Sequence, residues 1–386
     1  MLAPSPLTIG AIHAETRQNQ SFVWTEIDGE KLWFSSTDAV LQPSPEAFAT
    51  ALLMPALVNN RRLLVQNAVC SRWASQIPTA VELLHQWWNV PRIPPRFRTC
   101  DDAATAGEGR IGLCFSGGVD SFFSLLRHRP RVETLIYVYD YDIPIRGHSR
   151  QPHFEPWFRR LADKCHVQPI VIRTNLKTHP LRGEVDWFAA HGACLAATGH
   201  LLSDRIGTLV MSSSYDFSSP HPSGTHWKLD PLWSSARLDC THFGATHKRT
   251  KKLLEIAQEP LLREFLRVCW ANEDDRQNCG SCEKCLRTQL ILVTCGELAN
   301  FRVFYHDTPL AERIDQVQRI HIPDLIPTYE AFLEEGLPLS VEQAVARLVN
   351  RSWKWHRRVH AKHEWRGRVN RILGRQPDRP YHPLST

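Results

Sequence analysis

Nowhere in the 386 residues is there a run of 18 apolar side chains, so no segment is built to cross a membrane as a helix. The opening Met1-Leu-Ala-Pro-Ser-Pro lacks the basic stretch and apolar core of a secretory leader, and the expectation is a soluble, cytoplasmic protein. With 19 glycines and 26 prolines the chain is far from collagen-like, and it carries no internal repeat. What is present is the composition of a folded protein: 42% hydrophobic, 22% charged and 13 tryptophans, which excludes a wholly disordered chain. The length exceeds what one core usually serves, and two or three packed units are expected.

The formal charge of +6 is unevenly placed. Between Arg347 and Arg379 eleven Lys and Arg face only Glu364 and Asp378, a local excess of nine, so the rest of the chain is net −3. Cysteine is uneven too. Seven of the 11 are scattered, and four lie within 17 residues. Without a secretory leader, scattered cysteines read as small buried hydrophobes and a tight cluster reads as a metal site.

Residues 1–105 read as a mixed α+β unit. Ser21-Phe-Val-Trp-Thr-Glu-Ile27 and Lys31-Leu-Trp-Phe34 flank Asp28-Gly29, a hairpin signal. Phe48–Met54 and Val81–Trp88 read as short helices, and a Pro-rich link at 91–95 follows. Residues 106–300 alternate strands with helices: Ile111–Phe115, Val132–Tyr139, Pro169–Arg173 and Ile206–Met211 are apolar or β-branched, and helical segments separate them. That alternation predicts an α/β fold with a Rossmann-like parallel sheet covered on both faces, and ligands at the carboxyl ends of its strands. Residues 301–386 read as a helical, basic tail.

The chemistry begins after the first of those strands. Ser116-Gly117-Gly118-Val119-Asp120-Ser121 joins strand to helix. Two glycines let the backbone bring its N–H groups close to a ligand. The helix N-terminus adds unpaired amides and a favourable dipole, which together suit an anion of phosphate size. Neither G-x-x-x-x-G-K-[ST] nor G-x-G-x-x-G is matched. The simpler reading is a helix start capped by Asp or Ser for stability alone.

This turn resembles the SGGxDS loop of the PP-loop ATP pyrophosphatases, which cleave ATP to AMP and pyrophosphate. The resemblance implies an adenine nucleotide alpha hydrolase-like fold. It also implies that Ser116, Gly117, Gly118, Asp120 and Ser121 hold the pyrophosphate part of ATP, with Asp120 acting through Mg²⁺. Asp140, Tyr141 and Asp142 end the second strand, where this fold family passes adenine and ribose. Asp142 is the ribose-side candidate, and solvated strand-end acids are the plain alternative. Arg249 and Lys252, at i and i+3, share one helical face and could close on leaving pyrophosphate; the alternative is a solvated basic face beside Lys248 and Lys251.

Cys269-x9-Cys279-x2-Cys282-x2-Cys285 supplies four thiolates at a spacing that fits a closed tetrahedral Zn²⁺ site. Metal binding there would couple to folding and pin the carboxyl-terminal loop. An iron–sulfur cluster competes, because C-x2-C-x2-C is also a ferredoxin-type spacing. Cys279-Gly-Ser-Cys-Glu-Lys-Cys-Leu-Arg287 is similar to the run that closes the 7-cyano-7-deazaguanine synthase (QueC-like) family, whose four-Cys zinc site follows the ATP domain. About 100 residues before the loop and about 90 after the metal site go beyond that resemblance.

Other residues are less distinctive. Ser212, Ser213, Ser214 and Tyr215 follow the fourth strand and would face the crevice or satisfy a turn. Asp230-Pro-Leu-Trp-Ser-Ser235 resembles a segment near the acceptor pocket of QueC-like proteins, and reads equally as a Pro-supported turn over a Trp core. His191, His226 and the other histidines are given no catalytic role. Cys114 and Cys194 would matter only if the chain transferred sulfur, and Cys114 lies inside an apolar strand where an inert thiol is the default. In the tail, Trp353, Trp355 and Trp365 interleave with arginines, which suits a nucleic acid, an anionic surface, or an amphipathic helix packing its tryptophans onto the body.

The resemblance therefore implies an AMP-forming ligase. It would adenylate a carboxylate or amide oxygen of a small-molecule or macromolecular acyl substrate, for attack by ammonia or another nitrogen nucleophile. ATP, Mg²⁺ and Zn²⁺ are its cofactors. The rivals are an RNA sulfur transferase of the same class and a non-catalytic nucleotide-binding module. The oligomeric state is open, a homodimer included.

Overall fold

Residues 20–27 alternate buried side chains with half-buried or exposed ones, as a strand with one face on a core must. In the computed structural model, which describes residues 4–101, 109–141, 151–182, 185–218, 221–271 and 276–372, that strand belongs to the larger of two sheets. Asp142 lies outside the described residues, as do the tail beyond 372 and the side chain of Trp365. Two compact units are present, Met1–Lys252 and Leu253–Thr386.

The first unit begins β1 (Leu7–Ile9), β2 (His13–Arg17), β3 (Gln20–Ile27), β4 (Glu30–Ser36), α1 (Pro45–Val58), β5 (Leu63–Cys70), α2 (Ser71–Trp88) and β6 (Arg96–Cys100). It continues through β7 (Ile111–Cys114), α3 (Val119–His128), β8 (Val132–Val138), α4 (Gln151–Cys165), β9 (Gln168–Thr174), α5 (Trp187–Leu201), β10 (Thr208–Ser212) and β11 (Asp239–Phe243). It ends within α6 (Arg249–Ile256).

A small parallel sheet has the order β1-β5-β6, and the large one has the order β11-β10-β7-β8-β9-β4-β3-β2. Five strands of the large sheet, β7 to β11, run parallel, and their order by sequence is 3-2-1-4-5. The order reverses between β7 and β10, which leaves a crevice at their carboxyl ends. Helices cover both faces. Phe115 and Tyr137 meet Phe122 and Phe158 of α3 and α4 on one face, while Cys114, Ile136 and Met211 join the core formed with α1 and α5 on the other. A fully buried side chain of the kind of Leu113 or Ile136 contributes roughly 2 kcal/mol.

One expectation is corrected. The sheet is mixed, not parallel throughout. β4 pairs antiparallel with β9 (Phe34 opposite Thr174), so the β3–β4 hairpin extends the α/β sheet. Residues 4–101 lie in the compact unit Met1–Lys252 together with β7 to β11. The hairpin turns at Asp28-Gly29 as the dipeptide predicts, and both residues have positive φ, 54° and 84°. Strands β1, β2, β5, β6 and β11 are not among those the sequence predicts. The helices near Phe48 and Val81 are longer than their apolar cores: α1 starts where Ser44 accepts a hydrogen bond from Ala47 N, and α2 starts ten residues before Val81. α1 and α5 are apolar all round because each is buried on several sides.

The second unit is helical. After the remainder of α6 come α7 (Pro260–Phe265), α8 (Glu283–Thr294), α9 (Leu310–Gln316), α10 (Ile326–Phe332) and α11 (Leu339–Ile372). α11 packs on α9 and α10 through Val345, Leu348 and Ser352, and Ser352 Oγ accepts a hydrogen bond from Ile320 N at 2.9 Å. Among the described residues no helix is long and apolar enough to cross a membrane.

Candidate functional site

β7 delivers the chain to the turn at the crevice. Gly117 has φ +83°, a left-handed conformation that L side chains rarely adopt, and Gly118 stands at the N-cap of α3 without any side-chain cap. Gly118 N donates weakly to Ser116 Oγ at 3.4 Å, and Ser121 Oγ donates to Gly118 O at 2.9 Å. No side chain closes the first turn of α3, as a purely stabilising Asp or Ser cap would. A helix start without a side-chain cap is one that can receive an anion.

Asp120, one residue into α3, is the centre of an ion cluster. Its Oδ2 accepts from Arg249 Nε at 2.9 Å and Nη2 at 2.6 Å, and its Oδ1 accepts from Lys252 Nζ at 2.9 Å. Lys252 Nζ also donates to the carbonyl of Ser213, at 2.6 Å, just past the end of β10. Burial opposes ionisation of Asp120, but Arg249 and then Lys252 outweigh it, and its carboxyl is held below the ordinary carboxylate range. The i, i+3 spacing of Arg249 and Lys252 thus puts both cations on one carboxylate. Lys252 is not on a solvated face, since its side chain is 1% exposed. The structure brings together the predicted Ser116, Gly117, Gly118, Asp120, Ser121, Arg249 and Lys252.

The expected role of Asp120 toward Mg²⁺ does not fit this geometry. Mg²⁺ takes oxygen ligands in an octahedron, and both oxygens of Asp120 are engaged by cations. Asp120 is the counter-ion of the two cations.

Across the sheet from α3 a second polar group is buried. Asp230, in a short 3-10 turn at Asp230–Trp233, is 0% exposed. Its Oδ2 lies 2.7 Å from His242 Nδ1, and its Oδ1 accepts from His226 N at 3.1 Å. Burial pushes its carboxyl up, and its hydrogen bond and charge contact with His242 only partly offset that. His226 stacks on Trp227 with centroids 3.7 Å apart; burial, and then the neighbouring His242, push its imidazole down to about 4. His191 Nε2 meets Thr225 Oγ1 at 3.2 Å, which is possible because Gly192 and Gly224 let the two segments touch. His191 and His226 carry no role in the sequence reading, and His242 is not singled out there because β11, which carries it, gives no strand signal.

Other candidates have structural partners. Tyr141 Oη donates to Cys194 O at 3.0 Å, tying the end of β8 to α5, and Ser212 Oγ donates to Ser124 Oγ at 2.8 Å. Burial pushes the Cys114 thiol up to about 12, so it stays protonated and inert. In the tail, Trp353 Nε1 donates to Glu330 Oε1 at 2.7 Å, and the Arg319 guanidinium lies 4.1 Å from the Trp355 ring. Those two tryptophans face their own unit.

In the second unit, the Sγ atoms of Cys269, Cys279, Cys282 and Cys285 all lie within 4.8 Å of one another, and Cys279 Sγ is 4.0 Å from Cys285 Sγ. A tetrahedral Zn²⁺ with Zn–S near ~2.3 Å needs sulfurs roughly 3.8 Å apart, so the cluster could hold a metal ion such as zinc. Cys282 is the N-cap of α8, and Leu286 and Leu290 anchor that helix in the core. Gly280 takes the positive φ of 73° that turns the knuckle. Arg313 braces it, donating to Gly280 O and, at 2.8 Å, to Gln289 Oε1. Comparison of the chain with family models, with curated proteins and with solved structures gives no match in any of the three.

Proposed function

We propose that the chain is an ATP-dependent, AMP-forming ligase of the PP-loop type, similar to QueC-like proteins. The observation that carries this reading is the convergence of Arg249 and Lys252 on Asp120 beside the uncapped glycine turn, at the crevice where the strand order reverses. The amides of Gly118 to Ser121 receive the β- and γ-phosphates of ATP, and the flanking Ser116 adds a hydroxyl. A carboxylate or amide oxygen of the acyl substrate attacks the α-phosphorus, and pyrophosphate departs with the bridging electron pair. Arg249 and Lys252, held in place by Asp120, neutralise the charge that develops on that leaving group. Ammonia or another nitrogen nucleophile then displaces AMP.

Zinc at the four cysteines serves structure in this reading, since four thiolates leave no open coordination position. The setting is cytoplasmic, where the thiols stay reduced. Sulfur transfer is disfavoured because Cys114 lacks thiolate character. The engaged Trp353 and Trp355 support a packing role for the tail in place of stacking on nucleic-acid bases.

Labelled ATP offered to the purified protein with small carboxylic acids and ammonium chloride should yield AMP and pyrophosphate. Gly117→Ala, which forces a side chain onto φ +83°, should weaken ATP binding at least about tenfold. Absence of any affinity for adenine nucleotides would end the reading, and binding without turnover would reduce it to a nucleotide-binding module.

A further inference from the structure

One buried atom has no use in the phosphate chemistry. The side chain of His242 is 3% exposed, and its Nε2 has no hydrogen-bond partner among the described residues. Buried polar atoms are nearly always satisfied, and a persistent exception points to a missing ligand or a chemical role. The opposite ring nitrogen is committed. Nδ1 faces Asp230 Oδ2 at 2.7 Å; with that carboxyl ionised it can only accept, which puts the ring proton on Nδ1 and leaves the lone pair on Nε2.

The place of this atom is also specific. β7, β10 and β11 are neighbours, with Leu113 beside Val210 and Val210 beside Thr241. His242 comes one residue later, beside Met211, close to the carboxyl end of β11. Two strand spacings of about 4.8 Å put it roughly 10 Å across the sheet from the strand that feeds the glycine turn. It lies on the face opposite α3, paired with Asp230, whereas Asp120 lies in the first turn of α3. Asp230 itself is fixed by His226 N, and its surroundings are His226, His191, Cys240 and Cys114.

We propose that Asp230 and His242 form the acceptor half of the site, with His242 Nε2 taking the proton of the nitrogen nucleophile that displaces AMP. This rests on the AMP-forming reading above. As the nitrogen lone pair forms the C–N bond, the acyl C–O bond breaks and its electron pair leaves with the AMP phosphate. One N–H proton passes to Nε2. The imidazolium so formed is paired with the Asp230 carboxylate and returns its proton to water.

The test separates the two half-reactions in the full chain. Exchange of labelled pyrophosphate into ATP, driven by a panel of small carboxylic acids, reports adenylation; amide formation from ammonium chloride reports transfer. His242→Asn should lower transfer about 100-fold and exchange by less than about tenfold, and Asp230→Asn should follow the same pattern more mildly. His242→Ala opens a space for free imidazole, and added imidazole should restore part of its transfer but none of its stability, read by thermal unfolding. If transfer and exchange fall together in His242→Asn, and imidazole restores nothing in His242→Ala, His242 is a packing residue and the proposal is overturned while adenylation stands. If the wild-type chain catalyses no pyrophosphate exchange with any acid of the panel, the AMP-forming reading has failed and the acceptor role goes with it.

Discussion

Lys252 donates to Asp120 Oδ1 at 2.9 Å from a side chain that is only 1% exposed, so the ammonium has almost no water to fall back on. Its other partner at hand, the Ser213 carbonyl, carries no formal charge. Breaking a buried pair by removing one partner costs about 3–5 kcal/mol, whereas removing both charges costs far less. Asp120→Asn should therefore be strongly destabilising, and Lys252→Met less so because Arg249 still pairs with the carboxylate. The double variant should be more stable than the sum of the single losses, by roughly 1–3 kcal/mol in urea unfolding. Strict additivity would show that the two groups do not act as a pair.

The same pair sets an acid limit. The folded carboxyl of Asp120 is held below its unfolded value of 3.8, so its contribution is complete above that pH and is lost as pH falls through the lower folded value. His226 acts at higher pH. Burial lowers its imidazole from 6.5 to about 4, so between those values the unfolded chain binds the proton and the folded chain does not. Stability should fall as pH drops from 6.5 towards 4. His226→Asn, whose side-chain oxygen can replace Nδ1 as acceptor for Lys228 N, should flatten that slope in urea midpoints measured at successive pH values. An unchanged slope would place the titration elsewhere.

The cysteine cluster predicts one equivalent of metal per chain. With zinc, elemental analysis should find it and the visible spectrum should stay empty; an iron–sulfur cluster would instead colour the protein. Cys285→Ala, which removes a fully buried ligand, should abolish binding. A strong chelator should unfold the second unit, because the metal's binding energy is part of its folding energy. Full thermal stability after complete metal removal would contradict that role.

Much of this was legible in the sequence where local chemistry repeats a pattern. The glycine turn, the β3–β4 hairpin and the thiolate spacing each lie within a short stretch, and each lands where it was expected. What was hidden depends on partners distant in sequence. The parallel core strands β7 to β10 read as apolar runs, but β11 (Asp239–Phe243) carries Asp, Thr and His and is a strand because β10 pairs with it. That concealed the meeting of His242 with Asp230. The addition of β4 to β9 joins residues 141 positions apart or nearly so, through the Thr174 hydroxyl to Trp33 O as well as the ladder, and no local pattern announces it. The double engagement of Asp120 was invisible for the same reason: a carboxylate beside a glycine turn shows its cationic partners only when Arg249 and Lys252, about 130 positions away, are placed.

Gly192 offers the sharpest test of the packing around the proposed acceptor side. A Cβ built there would sit 1.8 Å from Gly224 O, a backbone atom that has no rotamer to escape through. α5 and the segment carrying Thr225 and His226 would have to part, which would break the contact of His191 with Thr225 at 3.2 Å. Gly192→Ala should cost about 3 kcal/mol or more, at the high end for a single added methyl. Gly296→Ala is the control. There the Cβ meets open space and only the positive φ of 72° is strained, so the loss should stay near 1 kcal/mol. Equal losses at the two positions, measured by equilibrium unfolding, would show that the Gly192–Gly224 contact does not hold these segments together.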